Sequence, residues 1–152
     1  MTKIEQSITI AAPVERVFAV ARNVEAFPEF MADLKSLTVR ERNEEGTRTV
    51  TEWVGLIREF KMTIKWTQED LWDTAHYRDD FNMLSGDMDS MKGYWQFTPV
   101  DAQSTRFESL VNYEYNVPLI GAMVQNLIKK KMTENLQATM DAIKRRAEEG
   151  TG

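Results

Sequence analysis

Apolar and polar residues alternate over positions 4–10, the period of a half-buried strand. Pro13 then precedes Val14, Val17, Phe18 and Ala21, which fall on one helical face behind a proline suited to a helix start. Phe27, Pro28, Phe30, Met31 and Leu34 predict a second short helix, with Pro28 tolerated in its opening turn. From 37 to 97 the texture is strand-like, with breaks expected at 43–46, 68–71 and 82–89, which predicts an antiparallel meander. Within it, Leu56, Arg58, Phe60, Met62, Ile64 and Trp66 share one strand parity, while Lys61, Thr63, Lys65 and Thr67 share the other. The same period groups Met91, Gly93, Trp95 and Phe97, and then Phe107, Ser109, Val111, Tyr113 and Tyr115, with a turn over 99–104. Past Pro118 the spacing becomes helical: Ile120, Val124, Ile128, Met132, Leu136, Met140, Ile143 and Ala147 predict one long terminal helix, with a polar tail from Glu148.

The predicted order is strand, short helices, several strands and long helix, with no repeat or linker to mark a boundary, so one domain over 1–152 is expected. An α+β class follows, a curved antiparallel sheet whose apolar face is covered by the long helix. Formal charge is −5, with 19 basic against 24 acidic residues, which argues against general binding to nucleic acid or to anionic membranes. The absence of cysteine excludes disulfide scaffolds, thiol nucleophiles and thiolate metal sites, and the single histidine, His76, excludes an imidazole-rich one. Neither a leader nor an apolar run of about 18 residues occurs, so a cytoplasmic protein is expected.

A strongly twisted sheet curls around a helix without being filled by it when inward positions carry large rings. Trp66, Tyr77, Phe81, Trp95, Phe97, Phe107, Tyr113 and Tyr115 supply such rings, several with a polar handle, and nine methionines, Met62 among them, add adaptable surface. For each of these side chains, plain core packing stands beside ligand contact. Arg58 is the polar residue that breaks the dry parity, and three arrangements satisfy it: a ligand oxygen, a snorkelled head in water, or an ion pair with Glu52 or Glu59. His76 and Tyr77 fall on opposite faces of a regular strand, which favours Tyr77 for a pocket and a solvent-facing role for His76. Asp79, Asp80, Asp87 and Asp89 lack calcium-loop spacing and read as a solvated turn, and no phosphate-binding glycine loop occurs. Lys129, Lys130 and Lys131, with Lys144, Arg145 and Arg146, make the terminal helix locally basic, compatible with ordinary solvation or with transient membrane contact.

The chain resembles the START-like superfamily, in particular bacterial polyketide cyclase/dehydrase-like and coenzyme-Q-binding-like proteins. The resemblance rests on AAPVERVFAVARNVEAFPEFM at 11–31, MDSMKGYWQF at 88–97 and VPLIG at 117–121, and extends over nearly the whole chain. It implies a helix-grip fold with a hydrophobic cavity that holds a lipid, a quinone or a polyketide. The stretch 85–97, through Gly93 and Trp95, is more similar to the quinone-binding branch. The preferred expectation is noncatalytic binding, transport or chaperoning of a hydrophobic molecule, because apolar walls suffice for it. The alternative is a polyketide aromatase/cyclase promoting ring closure and dehydration, which needs a positioned acid or base. Candidate ligand contacts are Arg58 or a tyrosine, Tyr77 or Tyr113, for a polar head. For the apolar body they are Met62, Trp66, Phe81, Trp95 and Phe97, with Val124 and Ile128 from the helix. No catalytic residue is assigned, and neither cofactor nor metal is expected.

Overall fold

The computed structural model describes residues 2–58, 61–116 and 121–149. Alternating β-branched and aromatic residues form seven strands: β1 (Thr2–Ile10), β2 (Leu34–Arg42), β3 (Arg48–Ile57), β4 (Met62–Asp73), β5 (Arg78–Gly86), β6 (Ser90–Asp101) and β7 (Ser104–Glu114). They make one antiparallel sheet in the order β1-β7-β6-β5-β4-β3-β2. The first two strands therefore lie at opposite edges, and the chain between them has to cross the width of the sheet. It does so as α1 (Val14–Arg22), a 3-10 turn (Val24–Ala26) and α2 (Phe27–Phe30). The stripe read from α1 is buried at Val14, Val17, Phe18 and Ala21. Phe18 meets Trp72, Tyr77 and Phe97 edge-on at centroid distances of 5.4–5.9 Å, contacts worth about 0.5–1.5 kcal/mol each beyond their area.

The long helix α3 (Ala122–Glu148) lies across the concave face. It is tied to β1 and the residue after it: Lys144 Nζ donates to the Thr9 carbonyl at 3.2 Å, the Ala11 N–H to Glu148 at 2.8 Å and Gln6 Nε2 to the Thr133 carbonyl at 3.2 Å. Ile128, Met140, Ile143 and Ala147 are buried along the expected stripe, whereas Val124 in the first turn is 37% exposed. This is the helix-grip fold, a sheet gripping a C-terminal helix with short helices after the first strand. Among the described residues, no helix is long and apolar enough to cross a membrane.

The alternation reading needs three corrections. First, 56–66 is not one strand: Ile57 pairs with Met62, and the Lys61 N–H donates to the Arg58 carbonyl at 3.0 Å with Lys61 at φ 50°. Inward positions are consequently odd-numbered in β3 and even-numbered in β4, and Arg58 sits at the reversal. Second, β4 continues unbroken through 68–71, and the break falls at 74–77, where Tyr77 takes φ 52°. His76 and Tyr77 are turn residues, so strand parity does not apply to them. Third, 82–86 belongs to β5 and Leu34 opens β2. Phe60, Pro118 and Ile120 lie outside the described residues.

At Gly93, opposite Val111, an added Cβ would come within 2.0 Å of the Leu110 carbonyl oxygen and 3.0 Å of the Phe81 ring. Glycine is what allows β6 and β7 to close at this point. Gly93→Ala is expected to cost about 1–3 kcal/mol by overpacking. That corresponds to a fall in melting temperature of roughly 3–10 °C, and an unchanged thermal melt would refute the close approach.

A candidate site in the cavity under the terminal helix

Between the sheet and α3 lies a cavity of about 440 Å³, within the range of small-molecule sites. Its wall is built by parity. β3 contributes Trp53, Gly55 and Ile57, β4 contributes Ile64, Trp66, Gln68, Asp70 and Trp72, and β5 contributes Asp79 and Phe81. Met91 and Trp95 of β6 and Val111 of β7 complete the sheet side. Opposite them stand Met132, Leu136 and Ala142 of α3, with Phe27 and Phe30 at the end. The exposed lining residues Ala32, Ala138, Asp141 and Arg145 mark the side toward solvent.

Trp53 and Trp66 are cross-strand partners whose rings stack at 5.5 Å and 11°, and a Cβ added at Gly55 would meet the Trp66 ring in ordinary contact at 3.6 Å. Phe27 closes on Trp53 and Trp95 at 6.0 and 6.4 Å. This aromatic box is interrupted by one polar chain along β4. Trp66 Nε1 donates to Gln68 Oε1 at 2.7 Å, and Gln68 Nε2 donates to Asp70 Oδ1 at 2.8 Å. Asp70, only 4% exposed, is in turn hydrogen-bonded to Asp79 of β5, only 1% exposed. Asp79 Oδ1 is shut away from solvent and has no hydrogen-bond partner among the described residues.

Two buried carboxyls in contact do not both ionise. Desolvation raises both: Asp70 above its ordinary 3.8, despite the hydrogen bonds from Asp79 and Gln68 that favour its anion, and Asp79 further. On Asp79, desolvation is followed by the charge of Asp70, the hydrogen bond to it and the charge of Asp80. The amide of Gln68 points at Asp70, not at Asp79, and favours the anion of Asp70 against its desolvation.

Of the residues singled out from sequence, Trp66, Phe81 and Trp95 line the cavity. Arg58 does not reach it: the side chain is 62% exposed, with Nε on Asp33 Oδ1 at 3.1 Å and Nη2 on the Ala32 carbonyl at 2.8 Å. Its acceptor is thus an ion-pair partner outside β3, bracing the segment that forms the rim. Tyr77 is used by Phe18, and Phe97 is enclosed by Phe18, Trp95 and Phe107. Tyr113 is buried where β7 pairs with β1 and β6, and burial raises its hydroxyl above 10.0. Met62 packs at the edge of the core, Ile128 is buried away from the lining, and Val124 faces outward. Sequence reasoning missed Gln68, Asp70 and Asp79, although continuing the even parity past Trp66 reaches the first two and the odd parity through Phe81 reaches the third.

Comparison with curated proteins returns no match. Among solved structures, the chain is similar to TTHA0849 from Thermus thermophilus, with 28% identity, a TM-score of 0.90, and coverage of 99% of this chain and 100% of that one. It is similar in fold to the Zhui aromatase/cyclase from Streptomyces sp. R1128, at 17% identity and a TM-score of 0.87 over 97% and 93% of the two chains. A START superfamily protein from Mycobacterium smegmatis shares the fold at 19% identity and a TM-score of 0.81 over 98% and 99%. The fold is thus common to an aromatase/cyclase and a START protein. A family model described as polyketide cyclase / dehydrase and lipid transport matches residues 10–140, and the chain belongs to that family.

Proposed function

We propose that the protein binds an uncharged hydrophobic small molecule in this cavity, with its apolar body against Trp53, Trp66, Phe81 and Trp95 and its polar end at Gln68, Asp70 and Asp79. The observation that carries the reading is an aromatic-walled cavity of about 440 Å³ with Gln68, Asp70 and Asp79 among its lining residues. Apolar walls supply affinity through desolvation, while a few convergent polar groups fix orientation. The charge of the polar end narrows the ligand class. A carboxylate placed beside two buried carboxyls, both already raised by desolvation, would bring further negative charge into a low dielectric, whereas a carbonyl or hydroxyl brings none. Quinones and polyketides therefore suit the polar end better than fatty acids.

Chemistry on such a guest is the second reading, favoured by one feature that mere holding does not require. Passive carriage needs only apolar surface, yet two carboxyls are kept where desolvation works against them. Ring closure and dehydration of a poly-β-ketone, the reaction class suggested by the family and the aromatase/cyclase fold relative, requires a proton donor and acceptor in a dry site. Arg58 lies outside the lining and takes no part in this reading.

Four tryptophans in the lining make the site self-reporting. A neutral aromatic quinone is expected to quench their fluorescence saturably, and a fatty acid of similar size to bind at least about tenfold more weakly. Ala142 is buried on the cavity side of α3, so Ala142→Phe should weaken quinone binding by about tenfold or more, while Arg58→Ala changes it less than about twofold. The opposite ranking of the two variants would place the ligand elsewhere.

The acid pair predicts a pH effect on stability. Asp79 keeps in the folded state a proton that the unfolded chain releases near 3.8. The stability linked to that proton is complete below this value and is lost as pH rises through the elevated folded one. Asp79→Asn keeps the shape without the titration, so its melting temperature should gain on the parent's progressively as pH rises above about 4. A constant difference between the two melting curves across that range would contradict a protonated Asp79.

A further inference from the structure

The opening turns of α3 carry charge and apolar surface that neither the core nor the cavity uses. From Ala122 to Thr133 the helix has three lysines and no acidic residue, in a chain whose formal charge is −5. Lys131 is held by Glu134 at 3.2 Å, whereas Lys129 and Lys130 are exposed and make no ion pair among the described residues. Apolar side chains stand on both faces of the same turns. Ile128 is buried at 4% exposure, but Met123, Val124 and Leu127 are 83%, 37% and 39% exposed. Helical spacing gathers the exposed ones with the free cations: Met123, Leu127 and Lys130 share one face at i, i+4 and i+7, and Val124 lies beside Leu127 at i+3. Long side chains on a helix lean toward its N-terminus, which directs the Lys130 stem back along the patch with its ammonium at the edge.

We propose that this end of α3 docks on an anionic lipid bilayer, with Met123, Val124 and Leu127 entering the boundary between headgroups and acyl chains and Lys129 and Lys130 on the lipid phosphates. A bilayer of this kind is negative at its surface and apolar just beneath, which is the order in which the helix presents cations and apolar side chains. The size of the patch argues against a protein partner. A stable protein interface takes about 800 Å² from each side, far more than three partly exposed side chains supply, whereas a few such side chains suffice for interfacial insertion. The acidic total does not oppose the contact, because exposed charges are screened beyond about 8–10 Å and the local lysines decide the approach. Farther along the same helix, Met132 and Leu136 line the cavity. Docking would therefore hold the cavity beside the phase in which an uncharged apolar guest dissolves. That consequence rests on the binding reading above, and the docking itself does not.

The test floats the full-length protein with vesicles of phosphatidylcholine, alone or with about 30% phosphatidylglycerol, at low and high salt. The anionic vesicles should bind it at least about tenfold more tightly than the neutral ones, and about 0.5 M salt should remove most of that difference. Met123→Ser with Leu127→Ser, and separately Lys129→Gln with Lys130→Gln, should each weaken the binding by about tenfold or more. Lys92→Gln with Arg106→Gln removes the same charge from exposed sheet positions and should change it less than about twofold. All the substituted residues are exposed, and quenching of tryptophan fluorescence by a quinone should be unchanged in every variant. Loss of docking and loss of cavity binding are thus separate results. No binding to the anionic vesicles, or an equal loss in the sheet variant, overturns the proposal and leaves the cavity reading standing. A dimer that Met123→Ser with Leu127→Ser splits, without vesicle binding by the parent, also overturns it, because the face then belongs to a second copy of the chain.

Discussion

A mismatch of widths governs this structure. Seven strands spaced about 4.8 Å apart make a sheet about 29 Å across, whereas one helix with its side chains is about 10–12 Å wide. Twist curls the sheet toward the helix but does not close the difference. The helix is tied along β1 through Gln6, Thr9 and Ala11 and touches β3 through Asn135 Nδ2 on the Leu56 carbonyl at 3.1 Å, and the space left over lies in front of β3, β4 and β5. At the near end α1 fills the gap with Phe18, and the aromatic cluster there is a solid core. Farther along, α2 supplies only Phe27 and Phe30, which cap the space without filling it. The cavity is thus a consequence of where the helix is anchored.

That geometry gives the polar chain Trp66–Gln68–Asp70–Asp79 its meaning. Hydrophobic replacement of buried ionic groups is often neutral or stabilising, so a pair of carboxyls kept in an apolar wall is weak evidence for stability. Its links run between neighbours, and Asp79 Oδ1 at its end is enclosed by protein. A purely structural network would be expected to close on itself. This one runs along the cavity wall, where Trp66, Gln68, Asp70 and Asp79 all lie.

Most of the fold is legible in the sequence because its signals are local. The helical stripe of α1, the alternation of β6 and β7, and the long period ending at Ala147 each follow from spacing alone. The reversal at 58–61 is not legible: it carries no Gly, Pro or Asn, and Lys61 adopts φ 50° without being a residue type that favours it. A continuous even parity therefore runs straight through a turn and carries Arg58 inward with it. The acid pair is obscured by the opposite error. Gln68 and Asp70 look like a polar break, and Asp79 looks like one of a surface cluster with Asp80, Asp87 and Asp89, because composition is judged before parity. Their burial becomes visible only when the alternation that places Ile64 and Trp66 inward is extended to Trp72, which brings Gln68 and Asp70 in with it. Polar side chains on a dry face interrupt a hydrophobic pattern at the positions where function enters it.

β4 also shows why the wall and the acid pair stand or fall together. A slip of one residue would turn Lys65, Thr67 and Glu69 inward and Trp66, Gln68 and Asp70 out. Two features oppose it. The stacked Trp53–Trp66 pair fixes β4 against β3, and Gly86, whose Cβ would lie 2.6 Å from that of Trp66, fixes it against β5. Between Thr67 and Gln68 the pairing with β5 skips one position, so that exposed Leu84 is left without a partner in β4. A bulge of this kind re-aims the strand and increases its local twist. Here it lies next to Gln68, so that Trp66 and Asp70, on either side of it, follow different stretches of β5. The extra residue lies in β5, so the even alternation of β4 carries on unbroken from Trp66 through Gln68 to Asp70 while the parity of β5 shifts beside it.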